Sequence, residues 1–390
     1  MRRQLARLIA GQMFLHACMA GTRMAVPLLA LKQGYSALAV GVLLSCFALT
    51  SVFVSLPAGR WADRRGLHRP VAFSVGLACA GAALAALWPV FAVLCLAALA
   101  TGGATGIAVI ALQRHVGKMA HGPQQLKEAF SWLSIGPAVS NFVGPVAAGL
   151  LIDHAGQAPA DEWGFRAAFI LMAILPLVTW GWIRHAPELP RTLPPEGSGS
   201  RRTMDLLREP LMRRLLAVNW LLASCWDVHT FVVPVLGHEK NLSASEVGGI
   251  LGAFAIAAAC IRLFLPWFSR FVQEHQVVSS AMVATALIFS VYPFMPGALG
   301  MGLCSVLLGL VLGTGQPRIL STLHQITPPL RHGEALGLRL MAINASSVLM
   351  PALFGAAGAL AGVAPVFWVV GLTVGLGAWP AWRLRPPEGH

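Results

Sequence analysis

Charged residues are scarce in this 390-residue chain, because Asp, Glu, Lys and Arg make up only 11% of it and the carboxylates number 15. Soluble globular domains carry about 25% charged residues, so the composition excludes a soluble protein. Tyrosine is also rare, with 2 residues, whereas 56% of the chain is hydrophobic and the mean hydropathy is +0.70. These proportions indicate a chain that lies mostly within a lipid bilayer.

Sequence signatures of several protein classes are missing as well. The chain has no Walker loop, which excludes direct use of ATP, and no His-Glu-x-x-His or Gly-x-Ser-x-Gly motif, so we do not expect an enzyme. The 7 cysteines lie in apolar runs without metal-ligand spacing, which predicts packing residues and no metal site. Lys and Arg fall between apolar runs and form no single basic face, so the net charge of +13 does not predict nucleic-acid binding.

Twelve apolar runs are long enough to cross a bilayer, which takes about 20 residues each. The sequence therefore predicts an all-α membrane protein. The predicted spans lie near 5–31, 37–58, 70–89, 91–117, 128–152, 164–184, 213–237, 244–269, 276–296, 298–323, 333–358 and 363–383. A turn-rich stretch around Pro194 to Ser200 separates the sixth span from the seventh. We predict a six-helix bundle over 1–184, a cytoplasmic linker over 185–212 and a second six-helix bundle over 213–390.

Basic residues are distributed unevenly over the predicted loops. With the N-terminus placed in the cytoplasm, most of the 28 Lys and Arg residues fall in cytoplasmic loops and the linker, whereas Lys32, Arg166 and Lys240 fall on the other side. Cytoplasmic loops of membrane proteins carry such an excess. We therefore predict a multi-pass protein of the cytoplasmic (inner) membrane with both termini in the cytoplasm.

A constant offset of 206 residues relates the two predicted halves. Identical residues in this register include Glu128 and Glu334, Ser140 and Ser346, and Pro145 and Pro351. Gly and Ala matches arise easily by chance, but Glu and Pro matches in one register indicate an internal duplication. The two bundles are therefore expected to be related by a pseudo-twofold axis.

The most specific motif follows the second predicted span and reads Gly59-Arg60-Trp61-Ala62-Asp63-Arg64-Arg65-Gly66. Glycines suit a tight turn, and a carboxylate there can engage arginines or a helix N-terminus. The spacing resembles the signature loop of the major facilitator superfamily (MFS), whose Asp belongs to a charge relay that holds the cytoplasmic side closed. The resemblance implies the MFS fold, alternating access about a midplane site, and gating roles for Gly59, Asp63, Arg64 and Gly66.

The fifth span contains Gly144, Pro145 and Gly149, which resemble the Gly-Pro motif of proton-coupled MFS antiporters that export drugs and metabolites. Closely spaced Gly and Pro kink a helix and let a neighbour approach, and they also serve simple packing. The motif favours export over uptake. Many of those exporters carry an arginine within helix 4, but Val93 to Ala108 contains no basic residue, which weakens the parallel with drug exporters.

Ionisable residues inside membrane spans are costly, so they are functional candidates by default. Those near mid-span are His16, Arg23, Asp227, His229, Arg262 and Arg339. Asp227 is the only carboxylate far from a predicted helix end, which makes it the candidate for proton coupling. Several arginines and one aspartate favour an anionic or zwitterionic solute, because a guanidinium pairs with carboxylate or phosphate. Glu128 and Glu334 begin the fifth and eleventh spans, where they are candidate helix-dipole partners or gate residues.

The 206-residue offset also places Arg23 opposite His229. Two basic groups related in this way resemble the arginine pair that clamps the anion in MFS organic-phosphate exchangers. Asp227 is predicted to neutralise Arg23 until substrate displaces it or a proton binds it. The alternative is a permanent salt bridge between Arg23 and Asp227 that only ties the halves together.

Together these patterns predict a secondary active transporter that exports a small organic solute by alternating access. Its energy source is expected to be the proton gradient, with no bound cofactor, and its partners are the solute, protons and the lipid bilayer. We expect a functional monomer. The alternatives are organic anion uptake, multidrug efflux, and a non-transporting membrane sensor or scaffold of the same fold.

Overall fold

The structure, a computed structural model, describes residues 2–119, 129, 132–133, 135–189, 203–268, 273–327 and 332–384. Within these residues the chain forms twelve long α-helices and no strand. They are α1 (Arg2–Lys32), α2 (Ala37–Arg65), α3 (His68–Leu87), α4 (Phe91–Met119), α5 (Ile135–His154), α6 (Glu162–Ile183), α7 (Pro210–Glu239), α8 (Ala244–Phe268), α9 (Glu274–Val291), α10 (Gly297–Ile326), α11 (His332–Ala361) and α12 (Val363–Trp382). Short 3-10 helices cover Thr203–Arg208 and Tyr292–Phe294.

Eleven of these helices are long and apolar enough to cross a membrane. Because successive helices run in opposite directions, α1 begins and α12 ends on one side of the bundle, which we call the termini side, and the other is the distal side. Residues 190–202 of the predicted linker and the start of the fifth span, with Glu128, lie outside the described residues. The predicted twelve-helix membrane fold is confirmed.

The second helix is longer than the sequence predicted. We expected residues 59–69 to form a loop, but α2 continues to Arg65 and only Gly66 and Leu67 separate it from α3. That prediction was wrong because hydropathy marks where a helix leaves the bilayer, and backbone hydrogen bonding continues beyond that level. Gly66 makes the turn with φ at +77°, a conformation that favours glycine.

Helix packing follows the predicted duplication. In the first half α2 packs on α4, α1 on α5 and α3 on α6; the equivalent pairs in the second half are α8 with α10, α7 with α11 and α9 with α12. Gly103 and Gly309, which are 206 residues apart, mark two equivalent crossings. A Cβ on Gly103 would contact Thr50 of α2, and one on Gly309 would contact the Phe254 carbonyl of α8.

The two halves meet mainly through α2 against α11 and α5 against α8, two pairs that the pseudo-twofold relates to each other. Glycines let the backbones touch there, as is common between membrane helices. A Cβ on Gly41 would overlap the carbonyl of Pro351, and one on Gly149 would overlap that of Ala244. All four residues lie in the distal parts of their helices, so this conformation is closed on the distal side.

Candidate functional site

A small, mostly apolar cavity with a few polar side chains lies where α1 and α5 of the first half face α7 and α8 of the second. Its volume is about 40 Å³. The lining residues are Ala20, Arg23, Met24, Asn141, Pro145, Trp226, Thr230, Leu251, Phe254 and Ala255. A buried water needs about 10–15 Å³ of such space, so the cavity has room for only a few waters and a solute of metabolite size needs a wider opening between the halves.

An ion pair between Arg23 of α1 and Asp227 of α7 joins the two halves beside this cavity. Arg23 Nη2 lies 3.6 Å from Asp227 Oδ1, and the two side chains are 23% and 4% exposed. Charge-assisted N–H···O bonds are usually about 2.7–2.9 Å long, so this contact is stretched. The sequence predicted both residues as site residues, and the structure places them together.

Serines from α11 hold the Asp227 carboxylate from the other side. Ser346 Oγ donates to Oδ2 at 2.9 Å, and Ser347 Oγ donates to Oδ1 at 3.1 Å. Among the described residues, every side chain that touches this carboxylate is therefore a donor. An ionised carboxylate only accepts hydrogen bonds, so this is the environment that its charged form requires.

Arg23, which lines the cavity, retains hydrogen-bonding capacity. Its second described contact, from Nη2 to Thr230 Oγ1, is 3.5 Å long, and its buried Nε has no hydrogen-bond partner. A guanidinium carries five N–H donors, and both contacts described here use one nitrogen. Arg23 can therefore donate hydrogen bonds to an anionic group of a ligand in the cavity.

Aromatic side chains form the second-half wall of the cavity. Trp226 and Phe254 meet edge to face, with ring centroids 4.5 Å apart and an interplanar angle of 70°. Leu251 continues this wall along α8. Next to a charged pair, such a surface offers van der Waals contact to the apolar part of a solute.

His16 lies two helical turns before Arg23 on the same face of α1. Its side chain interacts with that of Asn141 of α5, which itself lines the cavity, and its buried Nδ1 has no hydrogen-bond partner. Successive residues of an α-helix are rotated by about 100°, so positions seven apart share a face. The predicted candidate His16 therefore lies close to the site through Asn141.

His229 lies in a different environment. It is fully buried, its Nε2 is 2.9 Å from Ser305 Oγ, and its ring stacks on Phe254 at 4.2 Å between centroids. Tyr292 Oη completes this cluster at 2.7 Å from Ser305 Oγ. The structure thus does not bring His229 to Arg23, because residues 227 and 229 are rotated by about 200° around α7.

Arg262 and Arg339 contact α10 on the termini side of the second half. Arg262 Nε donates to the Gly313 carbonyl at 3.4 Å, and Arg339 donates to the side chain of Gln316. Gly313 and Gln316 are one helical turn apart. Neither arginine is among the residues that line the central cavity.

Comparison with known proteins identifies the family. A family model described as Major Facilitator Superfamily matches residues 8–317. The chain belongs to this superfamily. It is therefore a multi-pass membrane transporter and not an enzyme. No curated protein matches the sequence.

Solved structures share the MFS fold over nearly the whole chain. The nucleoside transporter NupG aligns with a TM-score of 0.75 and 15% identity over 98% of both chains. A POT family transporter in complex with 5-aminolevulinic acid aligns with a TM-score of 0.79 and 13% identity over 97% of this chain and 95% of its own. A bacterial homolog of the human lysosomal transporter Spinster aligns at 0.76 and 13% over 96% of both. These identities establish the fold alone.

The MFS signature residues lie at the termini-side end of α2. Gly59, Asp63 and Arg64 are helical, and Gly66 makes the turn to α3, but the side chains of Asp63, Arg64 and Glu334 lie outside the described part of the chain. Glu188, which sequence reasoning missed, fixes this turn. Its carboxylate accepts the Leu67 N–H at 2.5 Å and pairs with the His68 ring.

The Gly-Pro motif of α5 lies at both of its helix interfaces. Gly144 faces α1, where a Cβ on Gly144 would overlap the Ala17 carbonyl. On the α8 side, a Cβ on Gly248 would overlap the Pro145 carbonyl. Gly149 meets Ala244 at the start of α8. The motif thus lets α5 approach α1 and α8 closely beside the cavity.

Asp153 joins the two halves on the distal side and was not predicted. Its Oδ1 and Oδ2 accept the backbone N–H groups of Ala244 and Ser245 at 3.1 and 2.6 Å, at the first turn of α8. A carboxylate stabilises such a terminus through its unpaired N–H groups and the helix dipole. A carboxylate at a helix end is ordinary in a sequence, and only the packing of α5 on α8 reveals this role.

We expect Asp153→Ala to weaken distal closure. Losing a charge-assisted cap at a helix N-terminus costs about 1–2 kcal/mol, enough to shift a two-state equilibrium roughly tenfold. The measurement is thiol labelling of Ser245→Cys from the distal side, which should become faster. Glu162→Gln, which changes an exposed carboxylate on the same side, is the control. Equal labelling rates with and without Asp153 would show that this contact does not hold the closed state.

Proposed function

We propose that this transporter moves a small anionic or zwitterionic organic solute in exchange for protons, in the direction of efflux. The observation that supports it best is the buried Arg23–Asp227 pair, which spans the two halves beside the central cavity. Arg23 supplies an anion-binding group, and Asp227 supplies the carboxylate that can bind a proton.

In this proposal the ion pair links solute binding to the movement of the halves. Arg23 belongs to the first half and Asp227 to the second, so separation of α1 from α7 breaks the contact. A buried charge that loses its partner is strongly destabilised. A solute or a proton that supplies the missing partner therefore makes the separated state accessible, which is how a ligand biases alternating access.

The proposed direction and setting rest on sequence features. The excess of Lys and Arg in the predicted loops of the termini side supports a cytoplasmic location for that side and the cytoplasmic membrane for the chain. The Gly-Pro motif of α5 resembles that of proton-coupled exporters. The proton gradient is the proposed energy source, no cofactor is required, and one chain contains a complete central site, which fits a functional monomer.

Counterflow in proteoliposomes tests the proposal. Purified protein is screened with anionic, zwitterionic, neutral and cationic solutes, with and without a proton gradient. We expect flux of anions or zwitterions that responds to the gradient. Flux of neutral or cationic solutes alone would contradict the proposed substrate class, and solute binding without flux would favour a sensor or scaffold.

The gating role of Asp63 is a separate expectation from the MFS signature. Asp63→Asn removes the charge that is expected to hold the cytoplasmic side closed, so the population should shift toward the inward-open state. Transport should fall sharply, while membrane insertion and solute binding persist. The measurement compares flux and binding in the same preparation, with Asp205→Asn in the 3-10 helix Thr203–Arg208 as the control. Wild-type flux at equal expression would remove Asp63 from the gate.

A further inference from the structure

The charges around the central cavity favour one class among the solutes allowed above. Arg23 offers an unsaturated donor and Asp227 an acceptor, on opposite halves and 3.6 Å apart at their nearest atoms. A ligand that bears a carboxylate beside an ammonium satisfies both groups at once. We propose that the substrate is a zwitterion with an apolar, preferably aromatic, side group; the inference rests on the proposed function and narrows its substrate.

Charge balance separates the possible ligands. A zwitterion inserted between Arg23 and Asp227 leaves no buried charge unpaired. A simple anion pairs with Arg23 but leaves Asp227 without a cation, so its binding requires a proton on Asp227. A cation pairs with Asp227 and leaves Arg23 without an anion. An unpaired buried charge is strongly disfavoured.

The same balance fixes the sign of proton coupling. A zwitterion and a proton compete for the Asp227 carboxylate, so each weakens the binding of the other, as reciprocity requires. Competition for one site gives exchange of solute for proton. A simple anion would bind together with the proton and give cotransport in one direction. Export driven by proton entry therefore agrees with a zwitterion.

The groups around Asp227 allow this competition. Arg23 from α1 is the charged side chain that touches it among the described residues, and Ser346 and Ser347 from α11 are neutral donors. The buried thiol Cys225 of α7 is the nearest other titratable group, and His16 lies beyond Arg23 on α1. Asp227 itself is only 3% exposed, so an ammonium reaches Oδ1 when Arg23 turns onto the ligand carboxylate.

The cavity wall indicates the rest of the ligand. Trp226, Phe254 and Leu251 lie on the second-half side, and Thr230 and Asn141 provide the neutral polar groups. An aromatic or aliphatic side group would pack on the Trp226 ring while its charged end lies between Arg23 and Asp227. Such a ligand is an amino-acid-like solute with a sizeable apolar side chain.

Three compounds with the same phenyl-ethyl skeleton test the inference. They are phenylalanine, hydrocinnamate, which lacks the ammonium, and phenethylamine, which lacks the carboxylate. Binding to the full-length protein is measured across a range of pH. We expect phenylalanine to bind at least about tenfold more tightly than either analogue, which corresponds to about 1.4 kcal/mol. Its Kd should rise on acidification, whereas that of hydrocinnamate should fall.

Variants assign the effects to residues. Asp227→Asn should remove both the preference for phenylalanine over hydrocinnamate and the pH dependence. Trp226→Ala should weaken the binding of phenylalanine. The binding of glycine, which has both charges but no ring, should not change. Trp163→Ala, at an exposed distal position, is the control.

The outcomes separate this inference from the proposed function. If hydrocinnamate binds as tightly as phenylalanine and tightens on acidification, the zwitterion inference fails; the anionic substrate class stands, with cotransport in place of exchange. If phenethylamine binds best, the proposed substrate class fails as well. If phenylalanine does not bind while other anions are transported, the zwitterion inference is again overturned.

Discussion

Asp227→Asn should abolish solute accumulation driven by a pH gradient while solute exchange continues. Asn has nearly the shape of Asp, and its carbonyl oxygen can still accept from Ser346 or Ser347, but it cannot bind and release a proton. A gradient of one pH unit drives about tenfold accumulation when one proton moves per solute. In the variant we expect no accumulation, so that the solute reaches equal concentrations inside and outside the vesicles.

The experiment uses proteoliposomes loaded with labelled solute, in which gradient-driven accumulation and solute–solute exchange are measured on the same vesicles. Exchange should require a higher solute concentration in Asp227→Asn, since the ammonium of a zwitterion loses its charged partner. Glu162→Gln, an exposed carboxylate paired with Arg166, should behave as wild type. If the variant accumulates solute normally, the coupling residue lies elsewhere, with His229 and His16 as the next candidates.

Most of the fold was predictable because a membrane span leaves a strong local signal. Twelve apolar runs, the charge asymmetry of the loops and the 206-residue register required no knowledge of tertiary contacts. The helix ends were harder to predict from the sequence, as α2 shows, because a helix continues past the bilayer wherever its residues tolerate helical geometry. The end of α2 is set at Gly66, whose positive φ breaks the helix.

The charged part of the site was predictable for the same reason, since Arg23 and Asp227 are conspicuous in apolar spans. Asn141, Thr230, Ser346 and Ser347 were missed, because neutral polar residues are ordinary in membrane helices and only packing brings them to the pair. Helical rotation was an unused signal. Thr230 is rotated by about 300° from Asp227, hence back beside it, whereas His229 is rotated to the opposite face.

Arg23→Gln should cost both stability and solute binding, and a double variant separates these losses. The single change leaves Asp227 buried with its two serine donors and no cation. Removing one partner of a buried ion pair costs about 3 kcal/mol or more. The thermal unfolding midpoint of the purified protein should therefore fall, and solute affinity should drop by about a hundredfold, because a charged hydrogen-bonded contact of about 2.7 kcal/mol is lost.

Arg23→Gln combined with Asp227→Asn replaces the pair by two neutral amides of similar size. The unpaired charge is then absent, so the unfolding midpoint should recover most of the loss, whereas solute affinity should remain low. If the salt bridge served only to tie the halves together, stability and affinity would recover in parallel. Arg166→Gln, which breaks an exposed ion pair on the distal side, controls for loss of an arginine as such.

Arg23→Lys decides between a solute-binding guanidinium and a structural cation. Lysine keeps the positive charge beside Asp227 but offers a compact ammonium in place of a planar fork. A bridge tolerates that change, because the 3.6 Å contact to Asp227 needs only a charge. A guanidinium that binds a carboxylate through two parallel N–H donors cannot be replaced by an ammonium in this way. We therefore expect Arg23→Lys to have near-normal stability and a solute affinity reduced about tenfold or more. Wild-type affinity in both Arg23→Lys and Arg23→Gln would place the solute away from Arg23.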